Sequence, residues 1–267
     1  MAPRSTARTL DKFYTAPAAV DLCLDRFAAW TGIDARATTL PIVEPSAGGG
    51  AFLDALPAHT LAYDIAPEHP KVRRRNFLAL KRSAPALVVG NPPFGKNAHL
   101  AVAFFNHAAR FATHIGFIVP RSFQKTSVHN RLDRRFHLLG EEVLDPASFL
   151  FQGQVACVPC VFQVWAKRPT PRPLHALPMA HPDFAFTTRD AADFAVQRVG
   201  VRAGAVKDAP HTRAIGSHHF IKALAPLNTV RARFEALDVD SVKHNTSGNP
   251  SIAKTEIVAL YAAQVDA

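Results

Sequence analysis

Val43-Glu44-Pro45-Ser46-Ala47-Gly48-Gly49-Gly50-Ala51-Phe52 runs from an apolar, strand-like stretch into three successive glycines and on into a segment read as a helix. Three missing side chains let the backbone approach a ligand, and in an α/β sheet such a loop lies at the carboxyl end of its strand, where ligands bind. A dinucleotide fingerprint would read G-x-G-x-x-G with phosphate on the helix N-terminus. Here Leu53 stands where the third glycine belongs, so pyrophosphate is a poor fit. The next candidate strand ends Ala62-Tyr63-Asp64-Ile65, which places an acid to take the two hydroxyls of a ribose and an isoleucine to pack on an adenine face. The alternative is an ordinary strand-turn-helix with an exposed aspartate.

Outward from this loop, short apolar or β-branched runs at Pro41–Glu44, Thr60–Ile65, Arg75–Leu78, Ala86–Gly90, Ile115–Val119, Glu142–Leu144 and Val155–Trp165 alternate with helical stretches. That alternation predicts a roughly seven-stranded, mostly parallel sheet flanked by helices, an α/β fold. A helix over Pro17–Trp30 precedes the first strand, with Val20, Leu24 and Phe27 on one face. Prolines at 169, 171, 173, 178 and 182 predict a semi-rigid extended linker, dividing a domain over 1–168 from a small, basic α+β region over 169–267, which is a candidate target-recognition region or nucleic-acid grip. In that region Phe194–Val201 and His219–Leu224 read as strands. Leu227, Val230, Phe234 and Leu237 share a helical face, and Asn249-Pro250 reads as the cap and first residue of a final helix.

The 267 residues, 48% hydrophobic, suffice for the core of one large domain and an appendage. Thirty-one Lys and Arg against 21 Asp and Glu give +10, which favours a polyanionic partner. Three cysteines exclude a disulfide framework and point to a reducing cytoplasm, and no apolar run approaches the ~20 residues that span a bilayer, so no membrane role is expected. Cys157-Val158-Pro159-Cys160 has no second pair, and the histidines lack ligand spacing, so no metal is expected. Arg73-Arg74-Arg75, the densest basic run, enters its candidate strand from the amino end and is expected opposite the ligand rim. Lys96, Arg121 and Lys125 follow strand carboxyl ends and are the expected phosphate contacts, with a plain solvated surface as the alternative.

After the fourth candidate strand stands Asn91-Pro92-Pro93-Phe94. Two prolines fix the backbone, so carbonyls point in set directions. The chemistry that needs this is methylation of a planar amine, whose lone pair is delocalised and must be drawn out by acceptors. Asn91 through its side-chain oxygen and Pro92 through its carbonyl each take one N–H, and Phe94 offers a face to the ring.

With these motifs in order, the chain over Lys12–Lys167 resembles the S-adenosylmethionine-dependent amino-methyltransferases, particularly the adenine-specific DNA enzymes of the gamma motif order. The resemblance implies a Rossmann-like class I methyltransferase fold, S-adenosylmethionine as cofactor, and methyl transfer to the N6 amine of a flipped adenine in DNA. Lys12–Pro17 looks like the N-terminal cofactor motif, with Tyr14 and Thr15 as contacts. Glu44, Ala47, Gly48, Gly49 and Gly50 match the glycine loop, and Asp64 and Ile65 the ribose and adenine contacts. Asn76-Phe77 matches a pair in which the family commonly has aspartate where Asn76 stands. Phe151, ahead of the last strand, is the expected second face of the base sandwich, though a core role suits it equally. Rival readings are an RNA adenine methyltransferase, a protein-glutamine methyltransferase, and a catalytically inactive DNA-binding module.

Overall fold

A computed structural model describes residues 13–265 except 83, 152 and 247, and divides the chain between Leu174 and His175. The first unit contains β1 (Tyr14–Thr15), α1 (Pro17–Thr31), β2 (Ile42–Glu44), β3 (Leu61–Asp64), β4 (Arg73–Arg74) and β5 (Ala86–Gly90). It continues with α2 (His99–Ala108), β6 (Ala112–Pro120), the single-turn α3 (Thr126–His129), β7 (Phe136–Val143), β8 (Phe149–Phe151), β9 (Gln154–Ala156) and β10 (Cys160–Lys167).

Seven of these strands form one sheet in the order β4-β3-β2-β5-β6-β10-β7. The four ladders from β4 to β6 are parallel, and β10 is antiparallel to both β6 and β7, so β10 alone runs against the rest. β5, Ala-Leu-Val-Val-Gly, is buried at every position, as a central strand covered on both faces must be. One face carries α2 and a core that includes Phe77, Phe104, Phe105, Phe136 and Trp165; the other carries α1 and a core of Val20, Leu24, Phe27, Phe149 and Phe162. Pro17 opens α1 at its first turn, and Gly32, at φ 71°, closes it with its N–H on the Ala28 carbonyl at 2.9 Å. Two strand glycines make room for the helix: Phe27 packs over Gly116 of β6, and Trp30 over Gly140 of β7.

The strands depart from the sequence expectation where side chains compete for backbone groups. Asn76 accepts the Leu78 N–H at 3.0 Å and starts a 3₁₀ turn that drops Phe77 into the core, so the third strand is Arg73–Arg74 and not Arg75–Leu78. Pro159, which has no N–H to give a ladder, lies in the break between β9 and β10, where one long strand was expected. β9 instead pairs with β8, which pairs with β1. The expected domain boundary at Pro169 moves to Leu174 because Arg172, only 9% exposed, is held by the first unit. Its guanidinium donates to the carbonyls of Phe136 and Leu132 (3.1 Å each) and of His129.

The second unit is an antiparallel sheet, ordered β11 (Phe184–Phe186), β14 (His218–Ala223), β12 (Phe194–Gln197), β13 (Val206–Lys207), with α4 (Leu227–Glu235), α5 (Asp240–Lys243) and α6 (Lys254–Val265). Phe184, Phe194, Phe234 and Tyr261 form its core. α6 opens at Lys254 and not at Asn249-Pro250: Ile252 is drawn into a backbone bond with Arg198 (2.9 Å), and Glu256 reaches back to the Ala253 N–H at 2.7 Å. Residues 169–267 hold eleven Lys and Arg against nine Asp and Glu, a small part of the chain's excess of +10. No helix among the described residues is long and apolar enough to cross a membrane.

The glycine–helix packing is testable. A Cβ at Gly116 would stand 2.7 Å from Phe27 Cδ2 and 3.0 Å from Phe162 Cζ, whereas one at Gly216 meets nothing within 4 Å. Gly116→Ala should therefore lose about 1–3 kcal/mol through overpacking, read as a lower urea midpoint at unchanged slope, and Gly216→Ala should leave the midpoint in place.

Candidate active site

The strand order reverses at β2. The chain passes outward from β2 to β3 and β4, then returns to pair β5 on the opposite side of β2. Loops leaving β2 and β5 consequently diverge at the carboxyl ends and leave a crevice. A cavity of about 290 Å³ lies there. Its wall is Glu44–Gly48 after β2, Asp64 and Ile65 at the end of β3, Arg75, Asn76 and Phe77 after β4, Asn91 and Pro93 after β5, and Phe13, Tyr14 and Thr15 at β1.

The glycine loop is pinned to β3 by an acid. Asp64 accepts the Gly48 N–H at 2.9 Å on one carboxylate oxygen and the Ala66 N–H at 2.8 Å on the other, and the Ala47 N–H reaches the Tyr63 carbonyl at 2.9 Å. Each oxygen of Asp64 keeps lone pairs for a further donor. Gly48 and Gly50 sit at φ 48° and 91°, in the left-handed region that glycine tolerates. Of the three glycines, Gly48 alone lines the cavity. Gly49 and Gly50 make room for side chains instead: added Cβ atoms would stand 3.3 Å from Tyr14 Cε1 and 2.9 Å from His69 Cδ2. The loop leads into a single 3₁₀ turn, Leu53–Ala55, where an α-helix was expected. Leu56 is extended ahead of Pro57, which disfavours helical backbone before it, so no helix N-terminus is offered to a phosphate.

Glu44 is the most perturbed group of the site. It is 2% exposed, and burial, reinforced by the charges of Asp54 and Asp64, pushes its carboxyl up to about 8. Its Oε2 is buried without a hydrogen-bond partner among the described residues. Tyr14 lies over Gly49 with its hydroxyl donating to Glu68, and burial followed by the Glu68 carboxylate pushes it up to about 12. Near neutrality, then, the cavity floor holds an uncharged acid with a spare oxygen and a neutral phenol, beside the two oxygens of Asp64. Such a floor suits a ligand carrying positive charge and hydroxyl donors.

Asn91 is clamped. Its side-chain nitrogen donates to Thr15 Oγ1 at 3.2 Å and to the Phe13 carbonyl at 3.4 Å, and its own carbonyl accepts from Ser46 Oγ at 3.0 Å. That bonding fixes which way the amide faces and leaves Oδ1 as the end without a partner among the described residues. Pro92 is buried, and its carbonyl likewise accepts nothing among them. Phe94 packs against both core clusters, off the cavity wall, and its carbonyl receives the Leu100 and Ala101 N–H groups (3.2 and 3.3 Å). Immediately beyond it, Asn97 and Ala98 adopt φ 53° and 58°, a costly geometry for residues with a Cβ.

Phe151, in the small β1-β8-β9 sheet, lies off the cavity wall, its ring 5.4 Å from that of the wall residue Phe13 and tilted by 39°. Ile65 is 55% exposed at the cavity, an apolar surface left open beside the acid that precedes it. Asn76 uses its oxygen to cap the 3₁₀ turn, and Phe77, 1% exposed, stacks on Phe104 at 5.2 Å. Lys96 is exposed and Arg121 half-buried; with Lys125, half-buried as well, they lie off the cavity wall.

The cavity also uses Phe13, which lies within the N-terminal motif but was not among its expected contacts, and Arg75, Leu78, Leu100 and Phe104 outside the motifs. Arg75 is the informative correction. With β4 ending at Arg74, the arginine run reaches the carboxyl end of its strand, and its last member joins the wall expected to lie opposite. No group of three or more His, Cys, Asp or Glu among the described residues is placed to hold a metal ion.

No family model matches the chain, and no curated protein matches it. Among solved structures, it is similar to a Pyrococcus horikoshii protein assigned as an RNA methyltransferase (14% identity, 60% of this chain and 88% of that one, TM-score 0.46). A Listeria monocytogenes protein assigned as a class I S-adenosylmethionine-dependent methyltransferase is similar over 61% of this chain and 64% of its own (13%, 0.45). A Vibrio vulnificus protein assigned as the modification subunit of a type I restriction enzyme is similar over 91% of this chain and 59% of its own (11%, 0.45). These likenesses are distant.

The Glu44 environment has a measurable consequence. Between its ordinary value of 4.5 and the folded value of about 8, the folded protein holds a proton that the unfolded chain has released. Stability contributed by this site is thus present at low pH and lost as pH rises through that window. Glu44→Gln should abolish this part of the loss, so the difference in thermal midpoint between variant and parent should swing in the variant's favour from pH 5 to pH 9. A constant difference would show that Glu44 is ionised in the fold.

Proposed function

We propose that the chain transfers a methyl group from S-adenosylmethionine to the exocyclic N6 amine of adenine in DNA. The observation that carries this reading is the clamped Asn91 amide, whose unpartnered oxygen belongs to a cavity wall shared with Glu44 and Asp64.

The residues present fit the cofactor. The orphaned Oε2 of Glu44 suits its cationic portion, the spare lone pairs of Asp64 its ribose hydroxyls, and Ile65, Asn76 and Phe77 its adenine. Bound there, S-adenosylmethionine supplies an electrophilic methyl group. Asn91 Oδ1 and the Pro92 carbonyl each accept one N–H of the substrate amine, so that its lone pair leaves the plane of the ring and faces the donor. Thr15 and Phe13 keep the Asn91 nitrogen occupied, which prevents the amide from presenting a donor to the amine. Phe13 and Phe151 form an aromatic pair next to this point and suit a flipped base, whose unstacking cost of a few kcal/mol is offset by renewed stacking. The excess of +10 supports a nucleic-acid substrate over a protein glutamine, and the gamma motif order supports DNA.

The test is to incubate the protein with methyl-labelled S-adenosylmethionine and either duplex DNA or structured RNA, then digest to nucleosides. Label in N6-methyldeoxyadenosine is expected; label confined to RNA would overturn the choice of substrate, and label in neither would overturn the assignment to nucleic acid. Asn91→Ala should lower kcat about 10²–10³-fold, a loss of ~3–4 kcal/mol in barrier lowering, while calorimetry finds cofactor affinity within a few-fold of the parent. Near-normal turnover in that variant would contradict the mechanism.

A further inference from the structure

The positive charge of this protein is not spread along it. Between Glu68 and Asp133 the chain has no acidic residue and eleven Lys and Arg. The remaining residues hold 20 of the 31 basic groups against all 21 acidic ones, a net of −1, so residues 69–132 account for the entire excess.

Pairing separates the two populations further. In the second unit Lys222 is bonded to Asp193 (2.7 Å), Arg231 to Asp208 (2.6 Å) and Glu235 (3.0 Å), and Arg233 to Asp183 (2.7 Å). Arg73, Arg74, Lys81 and Arg110 are exposed, and their side chains have no carboxylate or hydrogen-bond partner among the described residues. Arg73 and Arg74 form β4, one of the two edges of the sheet among the described residues. From Arg75 at the cavity wall the chain runs through Leu80 to a groove of about 390 Å³ lined by Lys81, Arg82, His107 and Arg110 over Leu80 and Phe111. Arg82 lies 6.0 Å above the Phe111 ring, and burial keeps His107 below its ordinary value, so the groove's charge comes from its lysine and arginines. Arginines on an edge strand also discourage strand pairing, but that role does not account for the unpaired cations of the groove.

We propose that the β4 edge and the Lys81–Arg82–Arg110 groove bind the phosphate backbone of the nucleic-acid substrate, in a track that begins at Arg75 beside the cavity. This rests on the nucleic-acid reading above and places the main backbone contacts on the β4 edge of the unit that holds the cavity, not at Lys96, Arg121 and Lys125 or in the C-terminal unit.

The experiment measures affinity of the full-length protein for a 30-base-pair duplex as a function of salt. Each phosphate contact contributes about 0.9 to the slope of log affinity against log salt. Replacing Arg73, Arg74 and Lys81 together by glutamine should flatten that slope by about 2–3, with binding of S-adenosylmethionine by calorimetry unchanged. The companion set Arg189→Gln, Arg202→Gln and Lys207→Gln, in the second unit, should keep the parent slope. An unaltered slope in the edge variant, whether or not it self-associates, overturns the proposal, as does a flattened slope in the companion set alone. The two readings fail separately. A parent that binds duplex with an edge-dependent slope but transfers no methyl keeps the surface and loses the reaction, and a parent that methylates DNA with a slope indifferent to the edge does the reverse.

Discussion

Everything at the candidate site follows from one topological constraint, the placement of β2 between β3 and β5. A parallel sheet that grows first to one side of a strand and then to the other must part its loops at that strand's carboxyl end. The glycine loop and the Asn-Pro-Pro-Phe segment, about forty residues apart in sequence, become opposite walls of one cavity by this reversal. Side-chain bonds then tie the walls together: Asp64 holds the glycine loop to β3, Ser46 holds the carbonyl of Asn91, and Thr15 and Phe13 hold its amide. The result is a site whose polar atoms are placed before any ligand arrives, the arrangement that stabilises a transition state without reorganisation cost.

The same cavity shows how a mixed acid environment becomes useful. Glu44 and Asp64 end neighbouring strands, and two ionised carboxylates under a buried floor would repel each other. Burial resolves the conflict by keeping Glu44 protonated, while Asp64 is held by two backbone N–H groups. A cationic ligand reverses that balance by restoring the value of an ionised Glu44. Positive charge outside the cavity is organised separately: Lys222, Arg231 and Arg233 of the second unit are bonded to carboxylates within it, whereas Arg73, Arg74, Lys81 and Arg110 of the first are exposed.

Much of this was legible from residues. Periodicity located α1 within a residue and the central strand Ala86–Gly90 at both ends, because burial on both faces leaves a continuous apolar run. What periodicity could not show were the places where one side chain overrides the ladder: Asn76, whose cap displaces a strand by two residues and brings Arg75 to the cavity, and Arg172, whose guanidinium draws part of a proline-rich stretch into the first unit. The glycines were read as room for a ligand. Gly49 and Gly50 give that room to Tyr14 and His69, contacts between segments that no local pattern encodes. Phe13 was hidden for the same reason, since only the pairing of β1 with β8 brings it against Phe151.

If this cavity receives the cationic methyl donor against a Glu44 that is protonated beforehand, binding must expel a proton. Calorimetric titration of S-adenosylmethionine at pH 7, repeated in buffers of different ionisation enthalpy, counts the protons exchanged on binding. The parent should release close to one more proton than Glu44→Gln, because the donor's positive charge drives Glu44 to ionise. Equal proton counts for the two proteins would mean that Glu44 does not respond to the donor, and no binding by the parent would remove the cofactor from this cavity; either result contradicts the assignment.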